Sequence, residues 1–180
     1  MSTKRTKTLA AAGLAAGLLF GGGAQAQTCL VDVLGIAVTE PVAQTADAQR
    51  MARDIATAVA ERLEADALFA RIPDSVFPQS AQDIRGRPAW NDWRRVRTDV
   101  LMTGETVLLS DGQYEFRFRL WDVRFSREIA NYVLTAPASD WGRVADLVHS
   151  TLIERGVDIA ATRCRPPEGE RASPFRRLTA

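Results

Sequence analysis

Hydrophobic and polar positions follow two periods along this chain, and the periods predict where helices and strands lie. An apolar run at 30–38 predicts a buried strand, and a second, shorter strand is expected at 68–72. Between them, apolar residues recur at helical spacing from Thr45 to Leu63, with charged residues mostly on the other side. Strict alternation at 114–121 predicts the clearest strand of the chain.

Weaker signals complete the order of elements. They predict, in chain order, a connector at 41–45, a loop at 74–88, a short helix at 88–96, a strand at 100–109, a hairpin turn at Asp111-Gly112, a strand at 129–135, and a last helix that starts after Ser139 or Asp140 and ends at Gly156. The first part of this order suits a parallel crossover, whereas the hairpin makes part of the sheet antiparallel. We therefore expect an α/β fold with three layers, in which a mixed sheet of about five strands carries helices on its faces.

The first 26 residues have the pattern of a secretory signal peptide. A basic head at 4–7 precedes an apolar run at 9–20, and Ala24-Gln25-Ala26 offers small residues at the positions that a signal peptidase reads. The alternative is a single membrane anchor, but an apolar run of about 12 residues is too short to span a bilayer. We expect cleavage after Ala26, a periplasmic location, and no membrane insertion after cleavage.

Charge gives no sign of a nucleic-acid partner. The whole chain carries a formal net charge of +1, and loss of residues 1–26 leaves twenty arginines against 22 acidic residues. No basic field therefore surrounds the mature chain. The segment 93–97 mixes tryptophan with arginine, but a helix with an inward tryptophan and solvated arginines is the better interpretation. We expect no nucleic-acid binding.

Two cysteines and one histidine exclude a multi-cysteine zinc site. Export to an oxidising compartment allows Cys29 and Cys164 to form a disulfide. Such a bridge would close most of the mature chain into one loop, which chain-entropy arguments value at about 4–5 kcal/mol. Two unpaired thiols, or a bond between two chains, remain the alternatives. The expected organisation is a signal peptide at 1–26, one α/β domain at 27–164, and a disordered tail rich in proline and arginine at 165–180.

No motif of a known catalytic centre is present in the sequence. There is no Gly-x-Ser-x-Gly elbow and no phosphate-binding glycine loop, and His149 is expected to be a surface or half-buried helical residue. Asp92, Asp99 and Asp122 are candidates for acid–base chemistry, although helix caps and hairpin ends explain them equally well. We expect no enzyme, no cofactor and no metal.

Taken together, these segments resemble the TolB amino-terminal domain family. The specific part is Trp-x-x-Trp-Arg at 90–94 followed by Phe-Arg-Leu-Trp-Asp at 118–122. Shorter matches at other positions support the resemblance. They are Leu-Gly-Ile-Ala-Val at 34–38 with Pro41, Asp-Ile-Ala at 54–56, Leu-Phe at 68–69, Thr-Gly at 103–104, and Trp141 with Val144-Ala145 and Leu152. The resemblance extends over residues 34–156.

The resemblance implies a periplasmic protein of the Tol–Pal envelope system with an anticodon-binding-like fold. It also implies a non-enzymatic scaffold in processes such as cell division and protein import. In that family the amino-terminal region contacts the inner-membrane protein TolA, and a β-propeller contacts the lipoprotein Pal. Only 24 residues follow Gly156 here, so we expect no propeller and no Pal binding. The segment before Ile36 is short, so the TolA-binding arm is expected to be missing or reduced.

The leading functional hypothesis is an adaptor that binds an envelope protein, with a TolA-like protein as the candidate partner, through the first strand. The expected contact residues are Leu30, Val31, Asp32, Val33 and Leu34. This hypothesis needs the strand at a sheet edge, and a central position is the open alternative. A second hypothesis is a binder of small molecules or peptidoglycan fragments in a pocket lined by Trp90, Trp121 and arginines. A third is an unrecognised hydrolase.

Overall fold

The computed structural model describes residues 33–84 and 86–163, which form a mixed sheet flanked by helices. The elements in chain order are β1 (Leu34–Val38), β2 (Val42–Ala43), α1 (Ala46–Glu64), β3 (Phe69–Arg71), α2 (Trp90–Arg95), β4 (Val100–Leu108), β5 (Tyr114–Asp122), β6 (Arg127–Ala136) and α3 (Trp141–Arg163). The predicted α/β class and mixed sheet are confirmed. The sheet has six strands rather than about five, because the expected connector at 41–45 contains β2, which pairs with β4.

The main path of the sheet runs in the order β3-β1-β4-β5-β6. β1 is parallel to both β3 and β4, and α1 forms the crossover between β1 and β3 that parallel pairing requires. β4, β5 and β6 then form an antiparallel meander. Gly112 closes the first hairpin with a φ of 82°, a left-handed conformation that glycine adopts at no steric cost.

β1 is a central strand. Ile36 is in register with Arg71 of β3 on one side and with Val100 of β4 on the other. All five residues of β1 are buried, as is typical of a strand covered on both faces. The expectation that the first strand forms a sheet edge is therefore wrong for residues 34–38, and the open alternative of a central strand is the one that the structure shows.

The sheet separates two hydrophobic cores. On one face, α1 and α3 pack against alternate residues of the strands, and this larger core includes Ile36, Met102, Phe118 and Leu120. On the other face, α2 and the segment before it cover only part of the sheet. Trp93 is fully buried at the centre of this second core. The remainder of this second face, on β4, β5 and β6, has no helix over it in the described chain.

Local signals explain the boundaries of the long helices. Thr45 caps α1 because its Oγ1 accepts a hydrogen bond from the Ala48 N–H at 3.2 Å. The prediction that Gly156 ends the last helix is wrong, since α3 continues to Arg163. A Cβ at Gly156 would lie 2.4 Å from Cζ of Phe69, so this glycine allows α3 to approach β3 instead of ending the helix.

Candidate functional site

β6 forms the long free edge of the sheet in the part of the chain that the structure describes. The other end of the main path is β3, which has only three residues against ten in β6. From 129 to 136, β6 contains no charged residue and no proline, although natural edge strands commonly use both to prevent pairing. β6 therefore has the length and composition of a strand that can accept a partner strand.

The hydrogen-bond pattern of the meander identifies which main-chain groups of β6 face outward. The Leu109 N–H donates to the Gln113 carbonyl at 2.8 Å, so this pair is of the hydrogen-bonded type. Such pairs recur at every second residue along both antiparallel registers. It follows that one set of β6 residues turns its N–H and C=O groups away from β5, and this set is Asn131, Val133 and Thr135. Among the described residues, no hydrogen bond reaches these outward groups.

α3 lies along β6 on the helical side of the sheet, and two cavities separate them. One, of about 290 Å³, is mainly apolar, and its lining residues are Leu134, Thr135, Ala136, Arg143, Val144 and Leu147. The other, of about 280 Å³, has a charged lining, which comprises Arg127, Glu128, Ile129, Arg155, Asp158, Ile159 and Thr162. We call the outer edge of β6 together with these two cavities the β6–α3 groove.

Tyr132 of β6 and Arg155 of α3 lie close to one another between the two cavities. The pKa of the Arg155 guanidinium is raised, first by the neighbouring Tyr132 side chain and further by the charges of Glu154 and Asp158. Phe118 stacks on the other side of Tyr132, with ring centroids 5.1 Å apart. Aromatic packing therefore fixes the β6 side of the groove, which suits a preformed binding surface.

The open face of the sheet carries a third cavity, of about 220 Å³, beside β2. Arg117 and Arg119 line it with Glu105 and Asn131. Arg117 is already paired, at 2.6 Å with Glu115 and at 3.6 Å with Glu105. These contacts neutralise much of the positive charge that an anionic ligand would need.

The tryptophans expected to line a ligand pocket instead build the second core. Trp121 is nearly buried, and its Nε1 donates to Thr103 Oγ1 at 2.9 Å. Trp90 packs edge-on against Trp121 with ring centroids 5.7 Å apart. The structure thus places Trp90 and Trp121 together, but it uses them for packing, while Arg117 and Arg119 line a different cavity.

The three candidate acids each have structural partners of their own. Asp99 accepts a hydrogen bond from the Gly35 N–H at 2.8 Å and pairs with Arg163. Asp122 is buried and accepts from the Phe125 N–H at 3.1 Å. The third acid, Asp92, makes an exposed pair with Arg95, one turn along α2. Within 33–84 and 86–163, no group of His, Cys, Asp and Glu is arranged to hold a metal ion.

The residues predicted to contact a partner fall mostly outside the described ranges. Leu30, Val31 and Asp32 lie there, as do Cys29 and Cys164. Val33 is described and is 55% exposed, whereas Leu34 is fully buried beside β3. Contact with a partner at 30–34 remains a prediction, but it has lost the edge-strand geometry on which it was based. The sequence does show that the strand at 129–135 is uncharged, but it does not show that this strand lies at the edge of the sheet, because that depends on the strand order.

Comparison with known proteins adds the family. A family model described as the TolB amino-terminal domain matches residues 30–129. The chain belongs to the TolB amino-terminal domain family. Two relatives named Tol-Pal system protein TolB are 31% identical over 68% of this chain, from Paramagnetospirillum magneticum, and 33% identical over 71%, from Dinoroseobacter shibae. The alignments cover 27% and 30% of those relatives, so the chain spans less than a third of their length.

The fold of this TolB-type domain also matches a solved relative. The crystal structure of TolB from Acinetobacter baumannii aligns with 73% of this chain and 29% of its own, at a TM-score of 0.53 and 19% identity. At that identity the match supports the fold alone. The family match ends at residue 129, so most of β6 and all of α3 lie beyond it. In the described ranges, no helix has the length and apolar character needed to cross a membrane.

Proposed function

We propose that this chain is a periplasmic, non-catalytic adaptor that binds a protein of the cell envelope through the β6–α3 groove. Two findings support the proposal. The chain belongs to a family whose relatives are named as components of the Tol–Pal system. Its described residues also present a long free strand edge. A TolA-like protein is the first partner to test, because the family resemblance implies one.

The single observation that carries the proposal is the outward main chain of β6. Asn131, Val133 and Thr135 offer N–H and C=O groups in an unbroken row along the edge. An added strand satisfies such groups, and main-chain hydrogen bonds then supply the affinity. Because the strand is uncharged from 129 to 136, no repulsion opposes an approaching segment of either sign.

The test removes one outward N–H from the edge. Val133→Pro deletes a donor that faces away from β5, so the sheet keeps its own ladder, as edge positions allow. Val133→Thr is the matched control, because it keeps both the N–H and the β-branched shape. The mature chain is immobilised, exposed to a detergent extract of the cell envelope, and the bound proteins are identified by mass spectrometry.

We expect one envelope protein to be retained by the unchanged chain and by Val133→Thr, and to be lost with Val133→Pro. Circular dichroism should show the same folded spectrum for all three proteins. Leu134→Pro instead removes an N–H that faces β5, so it should unfold the domain. That result would verify which main-chain groups of β6 face β5 and which face outward. Capture that is equal for Val133→Pro and Val133→Thr would contradict the proposal.

A further inference from the structure

We infer that the partner enters the β6–α3 groove as an extended segment, with an apolar side chain seated between β6 and α3. This inference rests on the proposed function, since it describes what the same groove recognises. The main chain of β6 pairs with any strand, so it gives affinity without selecting a sequence. Selection must therefore come from the side-chain cavities beside the edge.

The cavity near the end of β6 has the chemistry of an apolar seat. Leu134, Val144 and Leu147 line it, and Ala136 at its border is small and buried. Leu147 remains 48% exposed, whereas Val144, one turn before it on α3, is buried. A partner side chain placed here would cover Leu147 and leave water, which favours binding in proportion to the area removed.

The second cavity sets the length of the segment. Its β6 residues, 127–129, precede those of the apolar seat, 134–136, by seven positions. The register of β6 against β5 shifts opposite Leu120 and Trp121, so strict alternation does not extend from one cavity to the other. At about 3.3 Å per residue the two positions are roughly 23 Å apart.

Charges at the second cavity indicate a polar side chain there. Arg155 pairs with Asp158 at 3.4 Å, and Arg127 pairs with Asp122 at 3.3 Å, so both signs are present. The inferred ligand is therefore an extended segment of at least eight residues without proline, with a large apolar residue at one end and a polar residue about seven positions away.

The test selects ligands without knowing the partner. The probe is a phage-displayed library of random decapeptides, panned on the mature chain and on three variants. Val133→Pro removes an outward main-chain donor. Leu147→Asp places a charge in the apolar seat. Val157→Asp is the matched control, because Val157 lies on the same helix, is 53% exposed, and lines neither cavity.

We expect the unchanged chain and Val157→Asp to enrich proline-free sequences with a large apolar residue at one position. Val133→Pro should select no common sequence. Leu147→Asp should lower the preference for the apolar residue by at least about tenfold, the change expected when one large apolar side chain loses its buried site.

Each other outcome overturns a defined part of the account. If Val133→Pro abolishes selection but Leu147→Asp leaves the apolar preference unchanged, the apolar seat is wrong and the proposed function stands. If Val133→Pro selects the same sequences as the unchanged chain, the proposed function is wrong. If size-exclusion chromatography shows a dimer that Val133→Pro dissociates, a second copy of this chain occupies the groove instead of an envelope protein. If removal of 165–180 increases peptide binding about tenfold, that segment of the chain itself occupies the groove.

Discussion

Replacing Asp99 should destabilise the domain far more than a typical surface substitution. Its carboxylate joins three elements, because it stands at the start of β4, accepts a hydrogen bond from the Gly35 N–H of β1 at 2.8 Å, and pairs with Arg163 at the end of α3. Both side chains of the ion pair are mostly shielded from water. Asp99→Ala therefore leaves a main-chain donor and a guanidinium without their partner.

The size of the effect follows from these two contacts. A hydrogen bond to a charged group contributes about 1.5–3 kcal/mol, and a partly exposed ion pair adds up to about 1 kcal/mol. We expect Asp99→Ala to lower the free energy of unfolding by about 2–4 kcal/mol. For a domain of this size, that corresponds to a fall in Tm of roughly 5–15 °C.

Urea unfolding followed by tryptophan fluorescence measures this change, because Trp93 is buried in the second core. Asp92→Ala is the matched control, since it removes an aspartate that pairs with Arg95 on an exposed helix surface. That control should change stability by less than about 0.5 kcal/mol. Equal losses for the two alanine variants would refute the view that Asp99 fastens α3 to the sheet.

Two further changes test the packing and the covalent structure. Gly35→Ala should cost about 3 kcal/mol in urea unfolding, because its Cβ would lie 2.0 Å from the Arg97 carbonyl oxygen, whereas Gly142→Ala, with open space around it, should not destabilise the protein. We also propose that Cys29 and Cys164 form a disulfide, because an oxidising compartment allows one; in addition, Arg163, next to Cys164, and Gly35, six residues after Cys29, both contact the Asp99 carboxylate. Mass spectrometry should find the mature protein lighter by two hydrogens than its reduced form, and double replacement by serine should cost about 2–5 kcal/mol. Two thiols that react with iodoacetamide in the native protein would contradict the bond.

The positions of the helices and strands could be predicted because their signals are local. The alternation at 114–121 falls within β5, and the apolar stripe from Thr45 to Leu63 falls on α1. The predicted helix end at Gly156 was wrong because glycine is common in two places. It is found just after helix ends and also where a helix packs closely on its neighbour, as Gly156 does on Phe69, and sequence alone does not distinguish the two.

The candidate site could not be predicted because it depends on strand order. The apolar character of 34–38 fits burial on both faces, which in retrospect favours a central strand. β6 becomes the edge only because β1 pairs between β3 and β4. The groove itself forms where α3 turns back along β6 after a connection of only four residues, 137–140, and the periodicity of the two segments does not predict how they pack against each other.

Photo-crosslinking in living cells tests the central claim most directly, and two valines provide a matched pair. Val133 on β6 and Val33 before β1 are 56% and 55% exposed, so either position accepts p-benzoylphenylalanine without disturbing the core. The account predicts that the probe at Val133 crosslinks to one envelope protein on irradiation and that the probe at Val33 does not. A crosslinked envelope protein at Val33 with none at Val133 would contradict the account, because it would show that the partner binds near the first strand and not at β6.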